Sequence, residues 1–291
     1  MTNKNVVPRR VLGGVTLVLG GTGKTGRRVA ERLVDNGVVT RVASRSAAIP
    51  FDWNDESTWP AALDGVTVAY ISYSPDLAIP GATRTIGRFV TAAITHGVKR
   101  MVLLSGRGEE EAQACESILQ ESDIEWVIVR SSWFMQNFSE GEFLNMVLDG
   151  SITLPGGHVP EPFIDVNDIA DVAVAALTED GHAHEIYEVT GPRLMTLAEA
   201  TADIARASGR PVSFEPIPPE AFAGALRDSG APDDIVWLLN YLFETVLDGR
   251  NAYVSDGVQR ALGRPATDFS EFADRIAARG DWAKSPSDAA A

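Results

Sequence analysis

Glycines at 20, 23 and 26 fall between the apolar run Val15–Leu19 and an amphipathic stretch, in the sequence Gly20-Gly-Thr-Gly-Lys-Thr-Gly26. Residues without a β-carbon let a backbone turn tightly and come close to a pyrophosphate. A helix starting in such a loop adds N–H donors and a positive dipole end. The stretch also reads as Gly21-x-Gly23-x-x-Gly26, a dinucleotide-binding pattern in its required context of strand before and helix after. It is not a phosphate loop of the Walker type, whose longer spacer before Gly-Lys-Ser/Thr is absent. Gly20, Thr22, Gly23, Lys24, Thr25 and Gly26 are therefore the expected phosphate-side residues.

The end of the second strand bears on which dinucleotide is bound. A carboxylate there would accept from the ribose hydroxyls of NAD, whereas this chain has Val42-Ala-Ser44-Arg45-Ser46, with a guanidinium suited to a 2′-phosphate. NADP(H) is the expected cofactor, with Arg45 as a solvated surface charge the alternative. Asp52 and Trp53 close a next short strand, where an adenine ring would lie, and Ser72 and Ser105 sit at later strand ends on the same cofactor side.

Tyr73 follows the strand ending at Ser72, at the edge where open sheets hold ligands, and reads equally as a nicotinamide neighbour and as a loop tyrosine. Trp133, Phe134 and Phe138 follow a later strand and suit an aromatic wall for a ring substrate; the competing reading is core packing. Asn137 suits either a carboxamide contact or a turn. Tyr73, Trp133 and Asn137 are the expected residues for holding the reacting ring. Asp168 reads as a helix N-cap rather than half of a carboxylate pair with Asp171. The run Glu109–Glu111 reads as a solvated first turn of a helix, with attraction of a cationic amine as the minority reading. His182-Ala-His184 lacks a third ligand, so no metal site is expected. Trp237, Leu238, Tyr241, Leu242 and Phe243 recur at helical spacing, as a core or dimer face does.

The elements that must hold these residues alternate. Apolar runs at Val15–Leu19, Val38–Ala43, Val66–Ser72, Arg100–Ser105 and Trp126–Val129 are separated by helical periods near 24–35, 56–63, 81–95 and 109–121. That order predicts an α/β fold with a Rossmann-like, doubly wound parallel sheet. A further strand is expected at Glu185–Val189, a helix from Asp168 to about Thr178, and mostly helix after Leu197, with proline-rich connections at 216–219. The whole chain reads as a single NAD(P)-binding protein. Its Rossmann core is expected at 15–130, a smaller, mainly helical substrate lobe at 131–165 and 191–280, and a return to the core at 166–190.

Composition narrows the partners. With 291 residues, 45% hydrophobic and 22% charged, the chain has an ordinary globular make-up. A net charge of -15 disfavours nucleic acid and anionic membranes. One cysteine, Cys115, suits a reducing compartment, and the sequence carries neither a membrane-length apolar run nor a signal-like start. A cytoplasmic monomer or homodimer acting on a small molecule is expected.

The chain resembles the NmrA-like, atypical short-chain dehydrogenase/reductase family, and within it most closely the agroclavine dehydrogenase type of ergot alkaloid biosynthesis. The resemblance rests on GGTGKTG at 20–26, VASRS at 42–46, FDWNDESTWP at 51–60, KRMVLLS at 99–105, WVIVRSSWFMQNFS at 126–139, VNDIADVAVAALTED at 166–180 and EIYEVTGPRLMTLAEA at 185–200. It implies an NADPH-binding Rossmann fold and reduction of a small-molecule C=N bond in secondary metabolism. Most short-chain dehydrogenases use Tyr-x-x-x-Lys to protonate a carbonyl oxygen, and many NmrA-like reductases carry a lysine at the place of Ala112. Here Gly106-Arg-Gly-Glu-Glu-Glu-Ala-Gln-Ala-Cys-Glu116 has neither tyrosine nor lysine. An iminium carbon needs only hydride, so the gap fits imine reduction. A quinone or azo reductase, and a non-catalytic NADP-sensing regulator, are the alternatives.

Overall fold

The computed structural model describes residues 13–141 and 143–283. Its strands are β1 Val15–Leu19, β2 Thr40–Ala43, β3 Val66–Ile71, β4 Arg100–Gly106, β5 Glu125–Ser131, β6 Ser151–Leu154, β7 Glu185–Val189 and β8 Ser213–Pro216. The α-helices are α1 Lys24–Asp35, α2 Trp59–Leu63, α3 Ala82–Thr95, α4 Glu110–Gln120, α5 Asn137–Glu140, α6 Leu144–Asp149, α7 Val166–Thr178, α8 Leu197–Ser208, α9 Pro219–Asp228, α10 Asp233–Tyr241, α11 Gly257–Leu262 and α12 Phe269–Arg279. A single turn of 3-10 helix, Glu56–Thr58, precedes α2, and a π-helical turn, Leu242–Val246, follows α10.

The chain forms two compact units. The first comprises Met1–Ser131, Asn167–Val189 and Gly257–Arg264. Its sheet has the order β2-β1-β3-β4-β5-β7, parallel throughout. The central strands are apolar along their length because helices cover both faces of such a sheet: Leu17, Val18 and Leu19 of β1, Ile71 of β3 and Val127–Val129 of β5 are all sealed from solvent. The strand order reverses around β1, so β1 and β3 run side by side where the chain crosses from one half of the sheet to the other. Ligands of open sheets sit at the carboxyl ends of strands at such a switch.

The short strand expected to end at Trp53 does not form. Pro50 and Asp52 make only isolated bridges, with Ser44 and Asp55, and the Asp52 side chain accepts from Asn54 N at 2.9 Å in a tight turn. The segment instead feeds an aromatic cluster in which Phe51, Trp53, Trp59 and Phe89 meet edge to face or stacked. Along the outer strand β7 lies α11, where a β-carbon on Gly257 would overlap the Glu188 carbonyl and Arg260 donates to Ile186 O at 3.2 Å.

The second unit comprises Ser132–Val166, Thr190–Asp256 and Pro265–Ala291. Helices dominate it, but β6 and β8 pair in parallel as a two-stranded sheet where helix and proline-rich connection were expected. α8 begins with a capping box between Thr196 and Glu199 and ends at Gly209 in the left-handed conformation. Its core gathers Phe138, Phe163, Phe269, Phe272 and Trp282, whose indole donates to Phe138 O at 2.8 Å.

Candidate functional site

In the first unit the glycine loop joins β1 to α1. Gly20 adopts φ +66°, which favours glycine, and its carbonyl accepts from Gly23 N at 2.8 Å. A β-carbon on Gly26 would overlap that same carbonyl, and one on Gly21 would press Val42 Cγ1 at 2.5 Å. Gly26 thus lets α1 start tight against the loop. Gly23 is the N-cap of α1, and no side chain of that residue caps it. An uncapped helix start of this length is suited to an anion. Thr25 is buried, Thr22 is exposed, and Gly20 lies against Ser72, the first residue beyond β3.

At the end of β2 the Ser44 hydroxyl is buried without a hydrogen-bond partner, and Arg45 is exposed beside it with no ion pair among the described residues. The orphaned hydroxyl, the unpaired guanidinium and the uncapped helix form a set of donors for phosphate that fits a dinucleotide. Asp52 is half-buried. Trp53 is a correction: it is 9% exposed and packed among Phe51, Trp59, Phe89 and Tyr73, so it builds the core rather than presenting a face to an adenine.

Tyr73 is half-buried, its ring 5.0 Å from that of Trp53, and burial pushes its phenol upward despite a hydrogen bond with Thr85. Ser105, at the end of β4, is buried and donates to Glu116 Oε1 at 2.6 Å; Arg130 clamps the same carboxylate. α4 holds no tyrosine or lysine, and Ala112 and Cys115 on it are buried. Burial, with Glu116 and Asp76 nearby, pushes the Cys115 thiol up to about 12.

The acidic run before α4 differs from expectation. Glu110 and Glu111 do lie in the first turn, but Glu109 is 6% exposed, with Oε2 buried and unpartnered. Gly106 clears the space, since a β-carbon there would overlap the Glu109 carboxyl. Sequence reading missed this because a run of glutamates at a helix start normally faces water. Asp168 is a second correction: it lies inside α7 rather than at its cap, 1% exposed, and accepts from Arg264 Nη1 at 2.7 Å.

In the second unit the aromatic trio divides. Trp133 is half-buried with its ring 4.9 Å from Phe243, and Phe134 is half-buried where it bridges to Ile164. Phe138 is fully buried among Phe143, Phe163 and Phe269, which corrects its expected place on a substrate wall. Asn137 begins α5, half-buried, its carbonyl accepting from Phe143 N at 3.1 Å. Gln136 beside it is buried, donating to Asp165 at 2.7 Å and accepting from Val166 N at 2.8 Å. A cavity of about 520 Å³ opens in this unit, lined by Gly156, His158, Val159, Ile217, Phe243 and Leu247 among others. Phe243 therefore belongs to both the cavity and the Trp133 pair. Among the described residues no cluster of His, Cys, Asp or Glu is arranged to hold a metal, and no helix is long and apolar enough to cross a membrane.

A family model described as NAD(P)H-binding matches residues 20–180. The chain is 32% identical over 284 residues to the NAD(P)H azoreductase of Xenophilus azovorans, covering 90% of this chain and 98% of that protein. It is 31% identical over 288 residues to the festuclavine dehydrogenase of Aspergillus fumigatus, covering 90% and 98%. Among solved structures, the NADPH-dependent quinone oxidoreductase of Escherichia coli complexed with NADPH superposes with a TM-score of 0.76 at 22% identity, covering 90% of this chain and 99% of that one.

Proposed function

The chain belongs to the NAD(P)H-binding, NmrA-like family of atypical short-chain dehydrogenase/reductases, a family of NAD(P)H-dependent oxidoreductases, and on that premise we propose that it is an NADPH-dependent reductase of activated double bonds in small ring compounds. Iminium, azo and quinone acceptors form the class. The observation that carries this reading is α4, which offers neither tyrosine nor lysine where a carbonyl-reducing enzyme needs its proton-donating dyad.

When bound, the nicotinamide supplies a two-electron reductant. The chain's own residues bind and orient. The amides at the start of α1 and the loop from Gly20 to Gly26 take the pyrophosphate, while Ser44 and Arg45 take a 2′-phosphate. Charge-assisted contacts to a guanidinium are among the stronger ones available, which favours NADPH over NADH. Ser72 and Tyr73 follow β3 at the carboxyl edge of the sheet, where the first unit presents a cofactor. In the second unit Trp133 and Phe243 offer an aromatic surface to a flat acceptor, and their faces favour a cationic ring. Without the dyad, rate depends on how electrophilic the acceptor already is, because general acid catalysis typically supplies about 10²–10⁴-fold.

A panel read by NADPH absorbance tests the proposal. A preformed iminium, an azo dye and a quinone are expected to turn over far faster than an unactivated ketone. Tight NADPH binding with no turnover of any acceptor would overturn it in favour of a dinucleotide sensor.

A further inference from the structure

In the second unit β6 and β8 end side by side, with Leu154 opposite Pro216. The cavity of about 520 Å³ opens where the chain leaves both strands, and is lined by the turn 155–159, the connection 216–219 and the residues Phe243, Leu247 and Asp248. All of these belong to one unit. Cavities of this size take small organic ligands.

Two local features shape the wall. Leu247 N donates to Leu242 O, five residues back, at 2.9 Å in the π-helical turn Leu242–Val246. Such turns are rare and found mostly at functional positions, and this one delivers Phe243 and Leu247 to the cavity. The turn after β6 closes against its neighbours because it is built on glycine. A β-carbon on Gly156 would lie 2.9 Å from Leu247 Cδ2, and one on Gly157 would lie 2.4 Å from Phe214 Cε1.

The wall is poor in hydrogen-bond donors. Pro155, Pro216, Pro218 and Pro219 have no N–H to offer. The amides of Val159 and Ile217 are already spent, on Gly156 O at 3.1 Å and Leu154 O at 3.2 Å. Asp248 turns its carboxylate to its own loop, where it accepts from Arg250 N and Arg250 Nη2, both at 2.9 Å. What faces a ligand is mainly hydrocarbon and the Phe243 ring, with the exposed His158 as the side chain able to donate. An uncharged flat ring gives up little hydration here and gains contact with proline and phenyl surfaces. A sulfonate, phosphate or carboxylate would exchange its water for a wall that cannot replace it, beside Asp248 and on a chain of net charge -15.

We propose that this cavity binds flat ring compounds that carry no anionic group and excludes their sulfonated, phosphorylated and carboxylated counterparts, and so sets the class of acceptor. Phe243, which also pairs with Trp133, joins the cavity to the aromatic surface already given to the acceptor. The proposal deepens the reductase reading and rests on it for the ligand's role, whereas the binding itself needs no cofactor.

The test is calorimetric titration of the full chain, without cofactor, by 2-naphthol and by naphthalene-2-sulfonate, which differ in a fixed negative charge on the same ring system. 2-Naphthol is expected to bind, and the sulfonate to bind at least about tenfold more weakly. Ile217→Trp fills the cavity and is expected to weaken 2-naphthol about tenfold or more. Ile217→Arg puts a charged donor in the wall and is expected to reverse the preference. No binding of 2-naphthol by the wild type, equal affinity for the two compounds, or unchanged affinity in Ile217→Trp would each overturn the proposal. With NADPH added, KM for 1,4-naphthoquinone is expected to lie at least about tenfold below that for its 2-sulfonate. A wild type that binds 2-naphthol with this selectivity yet reduces neither quinone upholds the cavity as a ring-binding site and overturns the reductase reading together with the acceptor role.

Discussion

Arg264 holds two carboxylates of one helix at once, Asp168 through Nη1 at 2.7 Å and Asp171 through Nη2 at 2.5 Å. Asp168 is 1% exposed, whereas Asp171 is shared with Arg32 at 2.6 Å, so the arginine matters most to Asp168. Removing one partner of a buried pair strands the other charge. Arg264→Ala is expected to destabilise the protein by about 3 kcal/mol, the lower end for such a loss because the guanidinium itself is part-exposed. Urea denaturation measures it, and a loss below about 1 kcal/mol, the value of a surface pair, would show Asp168 to be supported elsewhere.

Two substitutions on the cofactor side separate backbone from charge. Gly26→Ala drives a β-carbon into the Gly20 carbonyl, so the loop must open and both NADPH and NADH should bind at least about tenfold more weakly. Arg45→Ala leaves the loop intact and removes one charge-assisted pair worth about 1.5–3 kcal/mol, so NADPH should weaken about tenfold or more while NADH hardly changes. Calorimetric titration of both cofactors decides between them. Equal losses for NADPH and NADH in Arg45→Ala would refute the phosphate role.

The divided aromatic trio predicts opposite phenotypes in the second unit. Phe138→Ala empties a site walled by Phe143, Phe163 and Phe269 and should cost about 3–5 kcal/mol of stability. Trp133→Ala removes a half-buried ring, and should lower kcat/KM for aromatic acceptors with NADPH affinity unchanged. Thermal melting and steady-state kinetics on both variants check this; a larger stability loss for Trp133→Ala than for Phe138→Ala would reverse the assignment.

Stability should depend on pH through Glu109. Its folded form keeps the proton above the usual 4.5 at which the unfolded chain releases it. Between that value and its raised folded value the native state binds more protons than the unfolded state, so stability falls as pH rises through this window. Glu109→Gln cannot ionise and should flatten that slope. Denaturation midpoints at several pH values measure the difference, and parallel slopes for the two proteins would argue against a retained proton.

The sheet and the glycine loop were legible because their causes are local. β1 at Val15–Leu19, α1 at Lys24–Asp35 and β7 at Glu185–Val189 fall at the expected bounds, each fixed by apolar period and a nearby glycine or turn. What escaped sequence reading depends on residues distant in the chain. Glu109 looks solvated until Gly106 removes a β-carbon and Asp76 arrives from the preceding strand's loop. Asp168 looks like a cap until Arg264 reaches it. Phe138 and Trp133 are both aromatics after β5, and only the packing of Phe269 and Trp282 around the first separates them. The strand expected before Trp53 failed for the opposite reason, a local turn at Asp52 overruling an apolar pattern.

The route of the chain through the first unit bears on its synthesis. β7 is the last strand of the sheet on its side, and α11 reaches it only when Gly257–Arg264 has been made. Until then a nascent chain presents an uncovered strand edge and an Asp168 without its arginine, at a stage when domains completed earlier in a chain ordinarily fold as units. The edge of β7 is therefore covered only after the intervening Thr190–Asp256 of the second unit has been made. A chain ending just before Gly257 leaves β7 without α11 and is expected to sediment as aggregate where the full chain stays in solution.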